Sequence, residues 1–258
     1  AVPKPERAGS TGMSDIMTPG DISKLVQSNK PVFRADFVQL APPRASLYWR
    51  GLTLSSFDGR SWTPPLATAK AQPSTRGVVY DSSIRYIVEM EASDQRWLYL
   101  LPLASLSHSA DGLPIPYSTN ADFSLATVNP IDRRRRFGVE SHLDYALEPA
   151  LSAVRMKQET QLPSSYNPRA REFAASLYER SSSTEAFVEL LLRHFREQSF
   201  YYSFEPAKLG THSVDEFLFT TREGFCEHYA SALVFMLRSV GIPSRVVLGY
   251  QGGVISED

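Results

Sequence analysis

Near the end of this chain one helix has both of its limits written into the sequence. Gly224 precedes it, Cys226 opens it, and Gly241-Ile242-Pro243 closes it. Glycine lets the chain turn sharply before a helix, and a Gly-x-Pro sequence cannot continue one. Between these limits Cys226, Ala230, Leu233, Val234 and Leu237 fall on one stripe, while Tyr229, Phe235 and Met236 cover other faces. A helix apolar on several faces belongs in the middle of a fold. Whatever else the chain does, it has to wrap this helix and leave the helix start beside Cys226.

Cys226 is the single cysteine of 258 residues, so no intramolecular disulfide exists and cysteine usage does not identify a compartment. A lone thiol is either a small buried hydrophobe or a reactive group. Its position favours the second role. In the first turn of a helix the backbone N–H groups are unpaired and the dipole is positive, and both stabilise a thiolate. His228 is not placed to act as its base, because two residues along a helix rotate a side chain by about 200°. His194 falls on an apolar helical face, the usual setting of a core histidine, and His212 stays open. No HxxxH or CxxC spacing occurs, and neither a metal nor a cofactor is expected.

The rest of the chain divides in two. Residues 1–18 read as a flexible segment and 19–155 as a β-rich domain. Strands are expected at Val32–Leu40, Leu47–Phe57, Arg60–Thr63, Ile84–Met90, Arg96–Leu101, Phe123–Val128 and Arg136–Leu147. Asp58-Gly59 between two apolar runs marks a hairpin. Prolines at Pro42-Pro43, Pro64-Pro65 and Pro114 to Pro116 separate the runs. Residues 156–258 change character. Helices are expected over Ala170–Tyr178 and Thr184–Gln198, the latter capped by Thr184. A short strand should cover Phe200–Phe204, a short helix Asp215–Phe219, the central helix Phe225–Val240, and a buried strand Ser244–Tyr250. The fold class is α+β.

Composition sets limits on function. Hydrophobic residues make up 42% and charged residues 21%, the balance of a globular protein, and the formal net charge is -1. Such a balance gives no electrostatic reason to expect nucleic acid as a partner. No run of eighteen apolar residues is present, so no segment reads as a transmembrane helix. Arg133 to Arg136 reads as a solvated edge, with an anionic lipid or glycan as the sharper alternative. Trp49 and Trp62 read as hairpin core packing, with a glycan groove as the alternative, and Arg245 as the partner of a carboxylate.

The segment from Asp215 to Gly253 resembles the core of bacterial transglutaminase-like proteins. Asp215 with Phe217-Leu218-Phe219 comes first, then Arg222, Gly224 and Cys226. The apolar helix, Gly241-Ile242-Pro243 with Arg245, and Gly249-Tyr250 follow in order. Upstream, Pro19 to Leu25, Phe33-Arg34-Ala35, Leu47 to Gly51 and Phe57 to Trp62 resemble the TgpA-type branch. That resemblance implies a β-rich part joined to a papain/transglutaminase-like core, in the periplasmic region of an inner-membrane protein whose anchoring segments lie outside this sequence. It makes Cys226 the nucleophile of a protein-glutamine γ-glutamyltransferase-like enzyme working through a thioester. The substrate would be a protein or peptide amide, a cell-wall peptide among the options.

The family places a catalytic histidine and then an aspartate after the Gly-Tyr strand. No histidine follows His228 here, and Asp258 follows no histidine, so both partners are expected beyond residue 258 and these 258 residues alone are expected to be inactive. Tyr201 or Tyr202, ahead of the nucleophile helix, is a candidate oxyanion or cleft residue, with aromatic packing as the alternative. Two other functions stay open: a cysteine peptidase or amidase on the same scaffold, and a non-catalytic scaffold of the cell envelope.

Overall fold

The structure is a computed structural model, and it describes residues 14–20, 30–65, 83–109, 115–146 and 151–255. Most of the expected flexible segment (1–13), residues 21–25 of the TgpA-like stretch, Pro114, Leu147 and Asp258 lie outside these. The chain is α+β. In order its strands and helices are β1 Phe33–Phe37, β2 Tyr48–Leu54, β3 Ser56–Phe57, β4 Trp62–Thr63, β5 Ser83–Met90, β6 Ser105–Ser109, β7 Tyr117–Thr119, β8 Leu125–Thr127 and β9 Arg135–His142. There follow α1 Ala153–Glu159, α2 Pro168–Glu179, α3 Thr184–Glu197, β10 Tyr201–Tyr202, α4 Ser213–Glu216, β11 Glu223–Gly224, α5 Cys226–Ser239 and β12 Val246–Gln251.

An antiparallel sheet of order β1-β5-β9-β6 forms the body of the first part. Alternation on β5 and β9 turns Tyr86, Val88, Met90, Phe137 and Val139 inward. There they meet Trp49, which lies edge-on to Phe33 and Tyr86. The hairpin expected at Asp58-Gly59 is present, with β3 pairing β4. The Asp58 carboxylate accepts from the N–H groups of Arg60 and Ser61, and Gly59 takes φ +110°. A β-carbon on Gly59 would lie 2.6 Å from the Tyr166 ring, so glycine is needed there twice over. Trp62 is fully buried, stacks on Phe57 and donates to Ser231 Oγ of α5 at 2.8 Å. Both Trp49 and Trp62 are therefore core residues rather than the lining of an open groove.

The two parts are sewn together. β12 pairs antiparallel with β2, Val246 opposite Leu54 and Gln251 opposite Tyr48, with an irregularity at Leu248/Gly249. Leu52, Leu54, Phe57 and Trp62 share one core with Val234, Phe235 and Met236 of α5. Gly249 is required by this pairing, since a β-carbon there would sit 2.2 Å from the Trp49 carbonyl oxygen.

Several local expectations are corrected. The run Arg96–Leu101 makes isolated bridges, Arg50 to Leu100 and Trp97 to Ala126, rather than a strand. β12 is mostly half-exposed, with Val246 alone buried, because only one of its edges is paired among the described residues. Helix α3 is capped by Ser183, whose Oγ accepts from the Ala186 N–H, and not by Thr184. The expected short helix is α4 continued by a π-turn over Phe217–Thr221.

Candidate active site around Cys226

Two features fix helix α5. Its C-terminal end is a complete Schellman closure: the Gly241 N–H donates to the Arg238 carbonyl and the Ile242 N–H to Leu237, both at 3.0 Å. Gly241 takes the left-handed conformation this closure needs, φ +82°. Its N-terminal end is held by a parallel pair of short strands, β10 against β11. The turn into β11 is made by Arg222, at φ +51°, not by Gly224. Gly224 is in the extended strand, and its lack of a side chain serves a different need. A β-carbon would sit 2.5 Å from Cγ of His228, so glycine makes room for the imidazole packed beneath the helix start.

His228 is buried. Its Nδ1 accepts from the Phe225 N–H at 3.3 Å, while the His228 N–H donates to the Phe225 carbonyl at 2.9 Å. The imidazole thus takes the reciprocal capping role that a Glu or Gln takes in a capping box. Burial pulls its pKa down to about 4, so it is neutral and structural. That hydrogen bond puts the proton on Nε2, which is buried and has no partner among the described residues. His194 is ringed by Phe173, Phe195 and Phe200, and burial with Arg222 nearby lowers its pKa. His212 Nδ1 accepts from the Asn167 N–H at 3.0 Å.

Asn167 and Asp215 form a mutual clasp. The Asn167 Oδ1 accepts from the N–H groups of Val214 and Asp215 at the start of α4. The Asp215 carboxylate accepts from the N–H groups of Arg169 and Ala170 at the start of α2. Each helix start is capped by a side chain from the other, which is the structural reason for an Asp just ahead of the nucleophile segment.

Cys226 is the first residue of α5, and its side chain is exposed, which removes the role of a buried packing residue. The groups that stabilise a charge on its sulfur are the Tyr202 hydroxyl, the Glu227 N–H and its own N–H. The Tyr202 hydroxyl also engages the Cys226 backbone N–H. Of the two tyrosine candidates, then, Tyr202 reaches the thiol. Tyr201, one residue earlier on a strand of period two, is exposed like Tyr202, but none of the groups that shift the thiol pKa is its own. Tyr202 stacks on Tyr229 and lies edge-on to Phe204, so its ring is held on two sides.

The thiol is not activated as the sequence leads one to expect. Partial loss of hydration among these neighbours, and then the Glu227 carboxylate, push its pKa above the ordinary thiol value, against the pull of the donors. The sequence placed an acid one residue after the cysteine, where it works against ionisation. No histidine is among the groups that act on the thiol. Among the described residues no group of acidic, histidine and cysteine side chains could hold a metal ion. No helix among them is long and apolar enough to cross a membrane.

The other end of α5 is built around charge. Arg238 is fully buried, and its guanidinium donates to Glu159 at 3.2 Å, to the Ser55 carbonyl at 2.7 Å, and to the carbonyls of Gln161 and Ser244. Glu159 also faces Arg155 at 3.5 Å and Arg245 at 3.7 Å, and accepts from Ser55 Oγ at 3.1 Å. The expected carboxylate partner of Arg245 is therefore Glu159. Burial lowers the Arg238 pKa to about 10, which leaves it charged at neutral pH. In the Arg133 to Arg136 run, Arg134 pairs with Glu89 and Glu91 and Arg135 with Asp132 at the surface, where solvent and salt screen them.

Comparison with known proteins adds a frame to this geometry. Residues 1–148 match the TgpA N-terminal domain family, and residues 171–257 match the transglutaminase-like superfamily. The chain is 38% identical over 256 residues to a protein-glutamine gamma-glutamyltransferase of Pseudomonas aeruginosa, covering 99% of this chain and 37% of that protein. It is 35% identical over 100 residues to the protein YebA of Bacillus subtilis, covering 38% of this chain and 14% of that one. It spans little more than a third of the longer of these two alignments' curated relative. Among solved structures, the periplasmic domain of TgpA from Pseudomonas aeruginosa superimposes with a TM-score of 0.88 at 37% identity, over 95% of this chain and 83% of that one.

Proposed function

The chain belongs to the TgpA-type branch of the transglutaminase-like proteins, and on that premise we propose that Cys226 is the nucleophile of an acyl-transfer reaction on carboxamide side chains of proteins or peptides, in the periplasm. The observation that carries this reading is the donor set at the start of α5. An exposed thiol lies with its own N–H, the Glu227 N–H and the Tyr202 hydroxyl around it.

The reaction follows from those groups. The Cys226 thiolate attacks the carboxamide carbon, and the carbonyl oxygen becomes an oxyanion facing the Cys226 N–H and the Tyr202 hydroxyl. The C–N bond breaks, ammonia leaves with a proton from a general acid, and a thioester remains on sulfur. A primary amine then attacks the thioester carbon, loses a proton to the general base, and releases Cys226 as the thiol. Tyr202 stays protonated, because burial raises its pKa, and so remains a donor throughout.

A raised thiol pKa means that the nucleophile needs a proton acceptor of its own. The histidine–aspartate pair expected beyond residue 258 supplies it in this proposal. Two observations support that placement: none of the groups acting on the thiol is a histidine, and the outer edge of β12 is unpaired among the described residues. An open strand edge beside the nucleophile helix is a template for a further strand.

The test measures ammonia release and amine incorporation by the full-length protein with a glutamine-containing peptide. Cys226→Ala should abolish both. Ammonia release without amine incorporation at saturating amine would replace the transferase reading with an amidase. Full activity in Cys226→Ala would remove the proposal altogether.

A further inference from the structure

The histidine beneath the nucleophile has a task that packing alone does not explain. His228 is the third residue of α5 and is 1% exposed. Phe225 lies edge-on to its ring at 4.9 Å, and Phe217 tilts against it at 5.5 Å. Gly224 makes room on one side. Gly20 closes in on another, since a β-carbon there would sit 3.7 Å from Nε2. A neutral imidazole carries one donor and one acceptor. Here only the acceptor is used: Nδ1 takes the Phe225 N–H at 3.3 Å, while Nε2 has no partner among the described residues. A buried polar atom without a partner is destabilising. For stability alone, then, the imidazole only exchanges one unmet group for another.

What the Nδ1 bond does is hold a peptide plane. The Phe225 carbonyl and the Cys226 N–H belong to one planar unit and point opposite ways. That carbonyl accepts from the His228 N–H at 2.9 Å. The N–H on the other side of Phe225 is held by Nδ1. Both backbone groups of Phe225 are thus bound to one residue, which fixes its torsions at φ -117° and ψ -173°. Those torsions decide where the Cys226 N–H points, and that N–H is an oxyanion donor of the proposed reaction.

We propose that His228 is a positioning residue: through Nδ1 it holds the Phe225–Cys226 peptide plane so that the Cys226 N–H meets the oxyanion of the tetrahedral intermediate. It acts through the backbone and not on the sulfur. This rests on Cys226 being the nucleophile and adds to it a reason for an imidazole two residues later.

The experiment uses the full-length protein with a glutamine-containing peptide and a fluorescent primary amine. His228→Leu fills a similar space without an acceptor. His228→Asn places an amide oxygen where Nδ1 stands. Thermal unfolding first fixes a temperature at which both variants are native. His228→Leu should lower kcat by about 10², the cost of a misplaced donor, and leave KM within about twofold of the wild type. His228→Asn should recover most of that loss. Alkylation of Cys226 by iodoacetamide passes through no oxyanion, so its rate should be the same in all three proteins. Equal losses of kcat and of alkylation rate would mean a general disturbance of the helix start and overturn the proposal. So would an unchanged kcat in His228→Leu, or no recovery in His228→Asn. Turnover by Cys226→Ala, run alongside, would sink the nucleophile assignment instead, whatever His228 does.

Discussion

The two ends of helix α5 are built to opposite specifications. At the C-terminal end every charge is sequestered and answered: Arg238 is buried with Glu159, and carbonyls from Ser55, Gln161 and Ser244 take its remaining N–H groups. At the N-terminal end the thiol is exposed, its pKa is raised, and the imidazole beneath it has an Nε2 without a partner among the described residues. One end joins three parts of the chain, α1, the β2–β3 corner and α5. The other is left incompletely satisfied, which is the condition of a surface that meets a substrate or another segment. A rigid anchor at one end holds the reactive end to a fixed place, as nucleophilic catalysis requires.

Removing Glu159 should give the largest effect. Glu159→Ala leaves Arg238 buried without a countercharge, and about 3–5 kcal/mol of stability should be lost in urea denaturation. If the ends are as separate as proposed, the alkylation rate of Cys226 in the folded protein should stay unchanged. A large change in that rate would couple the ends and break the comparison.

Tyr202→Phe tests the reactive end in the same way. Losing one oxyanion donor should lower kcat by about 10² to 10³, with little change in the denaturation midpoint, since the ring keeps its contacts with Tyr229 and Phe204. A stability loss with unaltered kcat would make Tyr202 a packing residue.

Acid should loosen the N-terminal end first. The pKa of His228 is depressed to about 4 in the folded chain. An unfolded chain takes up that proton near pH 6.5, so stability falls as pH drops from about 6.5 to about 4, by about 3 kcal/mol in total, and this contribution is flat above and below. Hydrogen exchange at the first-turn amides of α5 should accelerate across that window before the Arg238 turn does. Simultaneous acceleration at both ends would contradict the difference drawn between them.

How much of this was legible in the sequence depended on range. The ends of α5 were readable because Cys226, Gly241 and Pro243 act within a few residues of themselves. The Asp58-Gly59 hairpin was readable for the same reason. The exclusion of His228 as a base needed only helical geometry. Helix α1 was missed because its seven residues, AVRMKQE, show no apolar stripe; it is held by Ser152 at its start and by the arginines on Glu159. β7 was missed because all three of its residues are exposed.

Long-range arrangements left no local trace. Nothing near Tyr48 announces that β2 pairs with β12, some 200 residues later, or that the phenol donates to the Val247 carbonyl there. The choice between Tyr201 and Tyr202 depended on strand register, which only the β10–β11 pairing fixes. Gly224 was identified for the wrong reason: its role is space for His228, and the sharp turn belongs to Arg222. The raised thiol pKa was missed because the helix dipole was weighed without the burial and the Glu227 carboxylate that oppose it.

The central claim is a covalent one, and trapping the intermediate tests it most directly. The full-length protein is mixed with a glutamine-containing peptide without an amine acceptor, quenched in acid and digested for mass spectrometry. The account predicts an acyl adduct, the peptide mass less ammonia, on the fragment carrying Cys226, and its release by hydroxylamine as the hydroxamate. Steady turnover of the same peptide with no adduct on Cys226, or with the adduct on another residue, would contradict it.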